Sequence, residues 1–273
     1  MLELEHGFRV IDVHVRLDAD LEGSGGDAAA RPERLERELH QAGISRAIVF
    51  PQPCPESYLR ANNSVARHSV GRPFVPFARL NGPRDPAGTP AAKLRNLTTK
   101  RGEEHASPED VEQYAYGDRF HGFHLDPVRD GLPDEEVLDM LEVAGLPVLA
   151  HVGVGFPPAA AEATLLRRDV SVIAAHFGGY PLNRAMMHET IDMLEEHDDY
   201  YVDTSAVRYR DVLERGLREH PDRVLFGSGT PDVHPDVGIM ELLTLDVPED
   251  AMRRAFSKNA ERLFGEALYA SRE

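Results

Sequence analysis

The sequence predicts an α/β fold, a distorted (β/α)8 TIM barrel, on three observations. Short apolar runs rich in β-branched residues alternate with longer amphipathic stretches, as in a parallel sheet covered on both faces. Eight such runs occur within 273 residues, close to the roughly 250 residues typical of this barrel. No glycine-rich turn follows the first run, where the chain reads VHVRLDAD; an open dinucleotide-binding sheet requires one there.

In order, the strands are expected over 8–15, 46–50, 74–80, 122–125, 146–152, 170–176, 200–204 and 224–227. Helices are expected between them, over 31–42, 57–68, 107–114, 134–143, 158–166, 182–195, 209–219 and 238–243. Ser107-Pro108-Glu109-Asp110 reads as a helix start, with a capping serine, a proline in the first turn and acids beside the helix dipole. Pro248-Glu249-Asp250 opens a last helical region in a similar way. Two stretches read as long loops of the kind that form lids or interfaces: 18–30, acidic and rich in Gly and Ala, and 81–104, with five basic residues. No repeat, low-complexity tract or domain boundary is evident, so residues 1–273 are expected to form a single barrel domain.

Composition narrows the function. The chain carries 47 Asp plus Glu against 30 Lys plus Arg, a net charge of −17. That surplus argues against nucleic acid as a partner and against binding to an anionic membrane. Only Lys93, Lys100 and Lys258 are lysines; the other 27 basic residues are arginines. Many acids with few lysines fit a protein of a salty cytoplasm, or an acidic protein from a GC-rich genome. Cys54 is the single cysteine, which excludes an internal disulfide and a cysteine-rich zinc site. No apolar run approaches the length of a membrane span, and the first residues lack the pattern of a secretion signal. A soluble cytoplasmic protein is expected, with a small-molecule substrate; self-association is left open.

In such barrels chemistry sits at the C-terminal ends of the strands. Here those ends read Asp12-Val13-His14-Val15-Arg16, His124-Leu125-Asp126, His151-Val152-Gly153, His176-Phe177-Gly178-Gly179, Asp203-Thr204-Ser205 and Gly227-Ser228-Gly229-Thr230-Pro231-Asp232. Period-two alternation would place Asp12, His14 and Arg16 on one face. Any one histidine can be an ordinary structural residue. Four of them, His14, His124, His151 and His176, at the ends of four strands suit a transition metal or acid–base chemistry. Asp12 either orients His14 or pairs with Arg16. Gly178-Gly179 lets the chain turn after His176.

IDVHV, RPFVPFARLN, GFHLDP, LAHVG, AAHFGG, VDTSA, FGSGTP and the tail SKNAERLFG, in this order along nearly the whole chain, resemble the amidohydrolase-related family. It is a branch of the metal-dependent amidohydrolase superfamily that also includes aminocarboxymuconate-semialdehyde decarboxylase. The resemblance implies a distorted barrel, zinc or another divalent ion, and hydrolysis or non-oxidative decarboxylation. It matches His14 and His151 to metal ligands and His176 to the histidine that works on the bound water. Two positions depart from its pattern. Arg16 stands where a second ligating histidine is expected, and guanidinium has no lone pair to give. Gly229 stands where the last-strand aspartate is expected. His124 in place of a lysine speaks against a carbamate-bridged pair of metals.

Three readings follow. In the first, His14, His151 and His176 hold a single ion, with Asp126 or Asp203 as base. In the second the site is metal-free: Arg16 clamps a substrate carboxylate or phosphate, His124 helps to bind it, and His176 does the proton work. In the third the barrel is non-catalytic and serves as a binding or scaffold protein. Ligand count alone favours the absence of a tight family-type metal site. The expected substrate is a small molecule bearing a carboxylate or carbonyl.

Overall fold

The computed structural model describes residues 7–18, 30–54, 58–117 and 119–269. The expected loop over 18–30 lies outside these apart from its two ends. Strands β1 (Val10–Arg16), β2 (Ile44–Phe50) and β3 (Phe74–Pro76) form one parallel sheet. A second follows in chain order, also parallel: β4 (Ala78–Leu80), β5 (Phe123–Leu125), β6 (Val148–Gly153), β7 (Val172–Tyr180), β8 (Tyr200–Asp203) and β9 (Val224–Leu225).

The two sheets are linked at both ends. β3 and β4 are one expected strand interrupted at Phe77, whose N–H donates to Val49 at 2.8 Å while the next, on Ala78, donates to Gly122 at 3.0 Å. At the other side Val13 N–H reaches Phe226 O at 2.9 Å, Arg16 N–H reaches Thr230 O at 2.8 Å, and Val15 bridges Thr230 in parallel. Eight strands therefore run round in the order the sequence predicts.

The alternation of strand residues produces two apolar cores. Ile11, Val13, Ile48, Phe50, Val75, Phe77, Leu149, Ile173, Ala175, Tyr201 and Leu225 fill the space inside the strands. Their neighbours in sequence, such as Val49, Ala78, Phe123, Ala150, Ala174 and Val202, pack outward under the helices. Parity thus puts Arg79, His124, His151 and Asp203 on the inner side. In β1 a register shift between Asp12 and Val15 breaks the parity. Asp12 does not share a face with His14 and Arg16, which corrects the simple period-two expectation.

The helices start where caps allow. Ser107 and Asp110 form a reciprocal capping box, and Asp134 and Asn183 accept backbone N–H groups at helix starts. The stretch 81–104 is not wholly a loop: Thr89 caps a short helix, Pro90–Asn96, with proline in its first turn. The expected helix over 158–166 is α-helical over Pro158–Ala161 and π-helical over Glu162–Leu166. No helix of the described residues is long and apolar enough to cross a membrane.

Candidate functional site

The strand ends surround a cavity of about 330 Å³, whose wall includes His14, Arg16, Phe50, Arg79, Asp126, Arg129, His151, His176, Tyr180, Gly229 and Asp232. His14 and His151 point inward from β1 and β6. His176 follows Ala175, an inward residue, so strict alternation would turn it away. Instead His176 and Phe177 adopt left-handed backbones, with φ of 59° and 53°. Such φ values cost a non-glycine residue roughly 1–2 kcal/mol each, and they bring the imidazole to the cavity. Gly178 completes the turn with φ of 70°; a Cβ there would collide with Thr190. Gly227 is required by close approach, because a Cβ would lie 2.9 Å from that of His14.

One ring nitrogen from each of His14, His151 and His176 lies within 4.8 Å of the others. The Nδ1 atoms of two of them are fixed. His14 Nδ1 donates to Asp203 at 2.8 Å, and His176 Nδ1 donates to the Ser205 carbonyl at 2.9 Å. Both rings therefore keep the Nε2 lone pair for the cavity when neutral. The Nε2 atoms of His151 and His176 are buried without a protein partner. Burial, reinforced by neighbouring imidazoles, holds the His151 pKa well below the ordinary 6.5 and lowers His176 to about 4. Three converging ring nitrogens, two of them buried and unpartnered, with two of the rings held from behind, fit the donor set of a divalent transition metal.

Asp203 lies behind the histidines and does not line the cavity. It is fully buried and accepts from His14 Nδ1, from the backbone N–H groups of His176 and Ser205, and from the Ser205 hydroxyl. Burial pushes its pKa up, but the His14 and His176 rings and these bonds outweigh that and bring it to about 2. Its bonds hold the His14 and His176 rings from behind, and its oxygens are turned to these partners. Asp12 orients neither the His14 ring nor Arg16. One of its oxygens accepts the backbone N–H groups of His14 and Ser228 at 3.0 and 2.9 Å. Burial raises its pKa to about 6 against those bonds.

His124 does not reach the cavity either. Its ring is fully buried, stacked on Phe50 at 3.9 Å, and both nitrogens lack partners. Phe50, on which it stacks, is the residue of the pair that lines the cavity. Asp126 lines the cavity but caps the helix Pro127–Asp130, with Arg79 Nη2 at 3.4 Å and Arg129 Nε at 3.7 Å. Arg16 bonds Asp18 and Asp232, each at 3.2 Å. His234 caps the helix Pro235–Leu243, so neither it nor Asp232 joins the three histidines.

Sequence reasoning missed Arg79, Arg129 and Ser205. Arg79 is buried, bonds Asp130 at 2.7 Å and Pro51 O at 3.0 Å, and presents its guanidinium to the cavity. The period-two row Val75, Phe77, Arg79 was the available signal. Ser205 touches both His14 and His176 through its hydroxyl, at 3.2 and 2.8 Å; nothing local in the sequence announces that.

The profile of a family described as amidohydrolase matches residues 11–265. No curated protein matches the chain. Among solved structures, 5-carboxyvanillate decarboxylase from Sphingomonas paucimobilis is 15% identical, with 94% of this chain and 99% of that one covered at a TM-score of 0.65. A probable 2-pyrone-4,6-dicarboxylic acid hydrolase from Acinetobacter baumannii, holding citric acid, is 14% identical over 94% and 100%, at 0.62. A dihydroxybenzoic acid decarboxylase from Polaromonas, with bound manganese and an inhibitor, is 16% identical over 96% and 99%, at 0.57. At such identities the likeness of the structures speaks for the barrel alone.

Proposed function

The chain belongs to the amidohydrolase family, and from that premise we propose that it cleaves a small organic carboxylate, by non-oxidative decarboxylation or hydrolysis. The observation that carries this reading is the convergence of three imidazole nitrogens, two of them buried and unpartnered, in a cavity lined by arginines. His14, His151 and His176 would hold a divalent ion. Bound there, the ion would supply Lewis-acid polarisation of a substrate oxygen.

The chain's own residues do the rest. Arg16 and Arg129, with Arg79 deeper in the wall, attract a carboxylate and fix its orientation. Phe50 and Tyr180 give the cavity apolar surface that displaces water from the substrate. Asp203 and Ser205 hold His14 and His176 in one tautomer and one orientation. Where no ion is held, the Nε2 of His176 is instead available to take a proton from the substrate.

A metal-free variant of this reading keeps one specific support: Arg16, where the family pattern has a ligand, is engaged with Asp18 and Asp232. Metal analysis of protein purified without chelators separates the two. We expect about one equivalent of zinc or manganese per chain, falling to background in His151→Ala, as a three-ligand site requires. Alongside, the protein should consume at least one member of a panel of aromatic mono- and dicarboxylates. Metal-free protein with undiminished turnover would remove the ion from the reading; no turnover across the panel, with or without manganese, would remove the enzyme.

A further inference from the structure

The helix Arg210–Glu219 carries a glycine in its interior. Gly216 lies on the buried stripe of Val212, Leu213 and Leu217, where alanine would favour the helix more. Helix propensity gives no reason for a glycine there; its neighbour does. A Cβ on Gly216 would stand 2.6 Å from Phe177 Cε1 and 3.0 Å from Phe177 Cζ, with Val224 Cγ2 next at 3.6 Å. The edge of the Phe177 ring thus fills the space that a side chain at this position would need. The ring is fully buried, so it has no solvent side to swing to.

Phe177 follows His176, and both backbones are left-handed, with φ of 53° and 59°. Non-glycine residues persist there only where their surroundings hold them. Two outer helices do so. Phe177 is seated in the notch that Gly216 leaves in one. Against the other, Arg184–Met193 with its cap Asn183, the chain lies so close that a Cβ on Gly178 would overlap Thr190 and one on Gly179 would lie 2.6 Å from Asn183 O. The strand end is therefore wedged between two helices directly after His176. Because the two residues turn together, His176 faces the cavity while Phe177 packs outside the strands.

We propose that Gly216 and Phe177 are positioning residues for the histidine centre: the notch in the outer helix seats the Phe177 ring, and the seated ring holds the left-handed turn that brings His176 to the cavity. The use made of His176 rests on the three-histidine reading; its placement is a property of the metal-free chain. A single methyl group added on a helix outside the ring of strands is then felt inside it.

Full-length Gly216→Ala, Phe177→Leu and the double variant test this as a cycle. Metal-free protein in chelator is read by NMR of its nitrogen-labelled imidazoles, the His176 Nδ1–H signal being assigned by its loss in His176→Gln. In the wild type this proton, donated to Ser205 O at 2.9 Å, should be protected from exchange. Alanine at 216 pushes the ring out, and leucine at 177 leaves the notch part empty. Each single variant should weaken or lose the signal and bind Mn2+ about tenfold more weakly by calorimetry, as when a ligand's orientation is lost. In the double variant the methyl group takes the space that the ring gives up, so both readouts should return towards the wild type. If Gly216→Ala does not fold, Phe177→Leu against the wild type still decides. Folded single variants with lower melting temperatures but an unchanged His176 signal and Mn2+ affinity overturn the proposal, leaving Gly216 and Phe177 as packing alone. So does a double variant that recovers neither readout, or a wild type without the protected signal. A wild type that binds no Mn2+ while the NMR cycle behaves as expected overturns the three-histidine reading and keeps the positioning.

Discussion

On the outer helices, Arg210 reaches Glu214 and Arg215 reaches Glu219 one turn further along, each pair exposed to water. Arg253 with Glu249 and Arg254 with Asp250 repeat the pattern near the C-terminus. Inside the barrel mouth imidazoles go unpaired in a cluster, whereas the other buried unpaired atoms, such as those of His68, His220 and Asp236, are scattered. Both nitrogens of His124, and one each of His151 and His176, are buried with no partner at all. The shell pairs groups that water would solvate anyway, which adds little to stability. The mouth leaves unpaired groups that water cannot reach, and each costs about 1–3 kcal/mol. Folding alone gives no return on that cost. The left-handed turn at His176 and Phe177 adds strain in the same place. The acidic surplus of the chain is therefore a property of its surface, and the chemistry is to be sought where unpaired imidazoles converge.

The largest expected effect that sharpens this contrast is at Arg79. Its guanidinium bonds Asp130 and approaches Asp126, and all three side chains are almost wholly buried. Arg79→Ala leaves buried Asp130 without its ion-pair partner and Asp126 with Arg129 alone, and should cost about 3–5 kcal/mol, measured by urea unfolding. A cost near that of a surface pair would mean that mouth and shell do not differ in the way described.

His124 is expected to move stability the other way. His124→Leu removes two buried unsatisfied nitrogens and should stabilise the metal-free protein by roughly 1 kcal/mol at pH 7.5. The gain should grow in acid. Burial holds the His124 pKa well below 6.5, and the guanidinium of Arg79 pushes it the same way. With the folded value depressed, its contribution is whole above the unfolded value near 6.5 and is lost as pH falls below it. Thermal melts at pH 7.5 and 5.5 in chelator should show a smaller acid loss in the variant than in the wild type. An unchanged difference between the two pH values would argue that His124 already has a partner, such as a bound water.

These two residues also mark how far the sequence could be read. The barrel was legible because its strands are continuous apolar runs, and the strand-end rule led to His14, His151 and His176. Parity holds for Arg79 and His124, yet it does not say what either side chain meets. Arg79 was overlooked inside an apolar run. His124 stands at a strand end, but its ring stacks on Phe50, a contact that strand parity does not show. Where parity failed, at the shift in β1 and the left-handed His176, only three dimensions could show which side chains turn inward. Ser205 belongs to the same class: its contacts to His14 and His176 join residues 191 and 29 positions away along the chain.

The smallest effect belongs to the shell. Arg210→Ala breaks one exposed pair and should shift stability by no more than ~0.5 kcal/mol, less in molar salt, where the interaction is screened. The salty-cytoplasm reading of the composition is tested by the same experiment on the wild-type protein. Losing isolated pairs to screening costs little, whereas relief of repulsion among the surplus carboxylates acts over the whole surface. Stability that rises from low to molar KCl while Arg210→Ala stays near neutral would place the salt response in the collective surface charge. A flat or falling response would leave the acid surplus as composition without consequence for stability, and the mouth as the one region where charge placement matters.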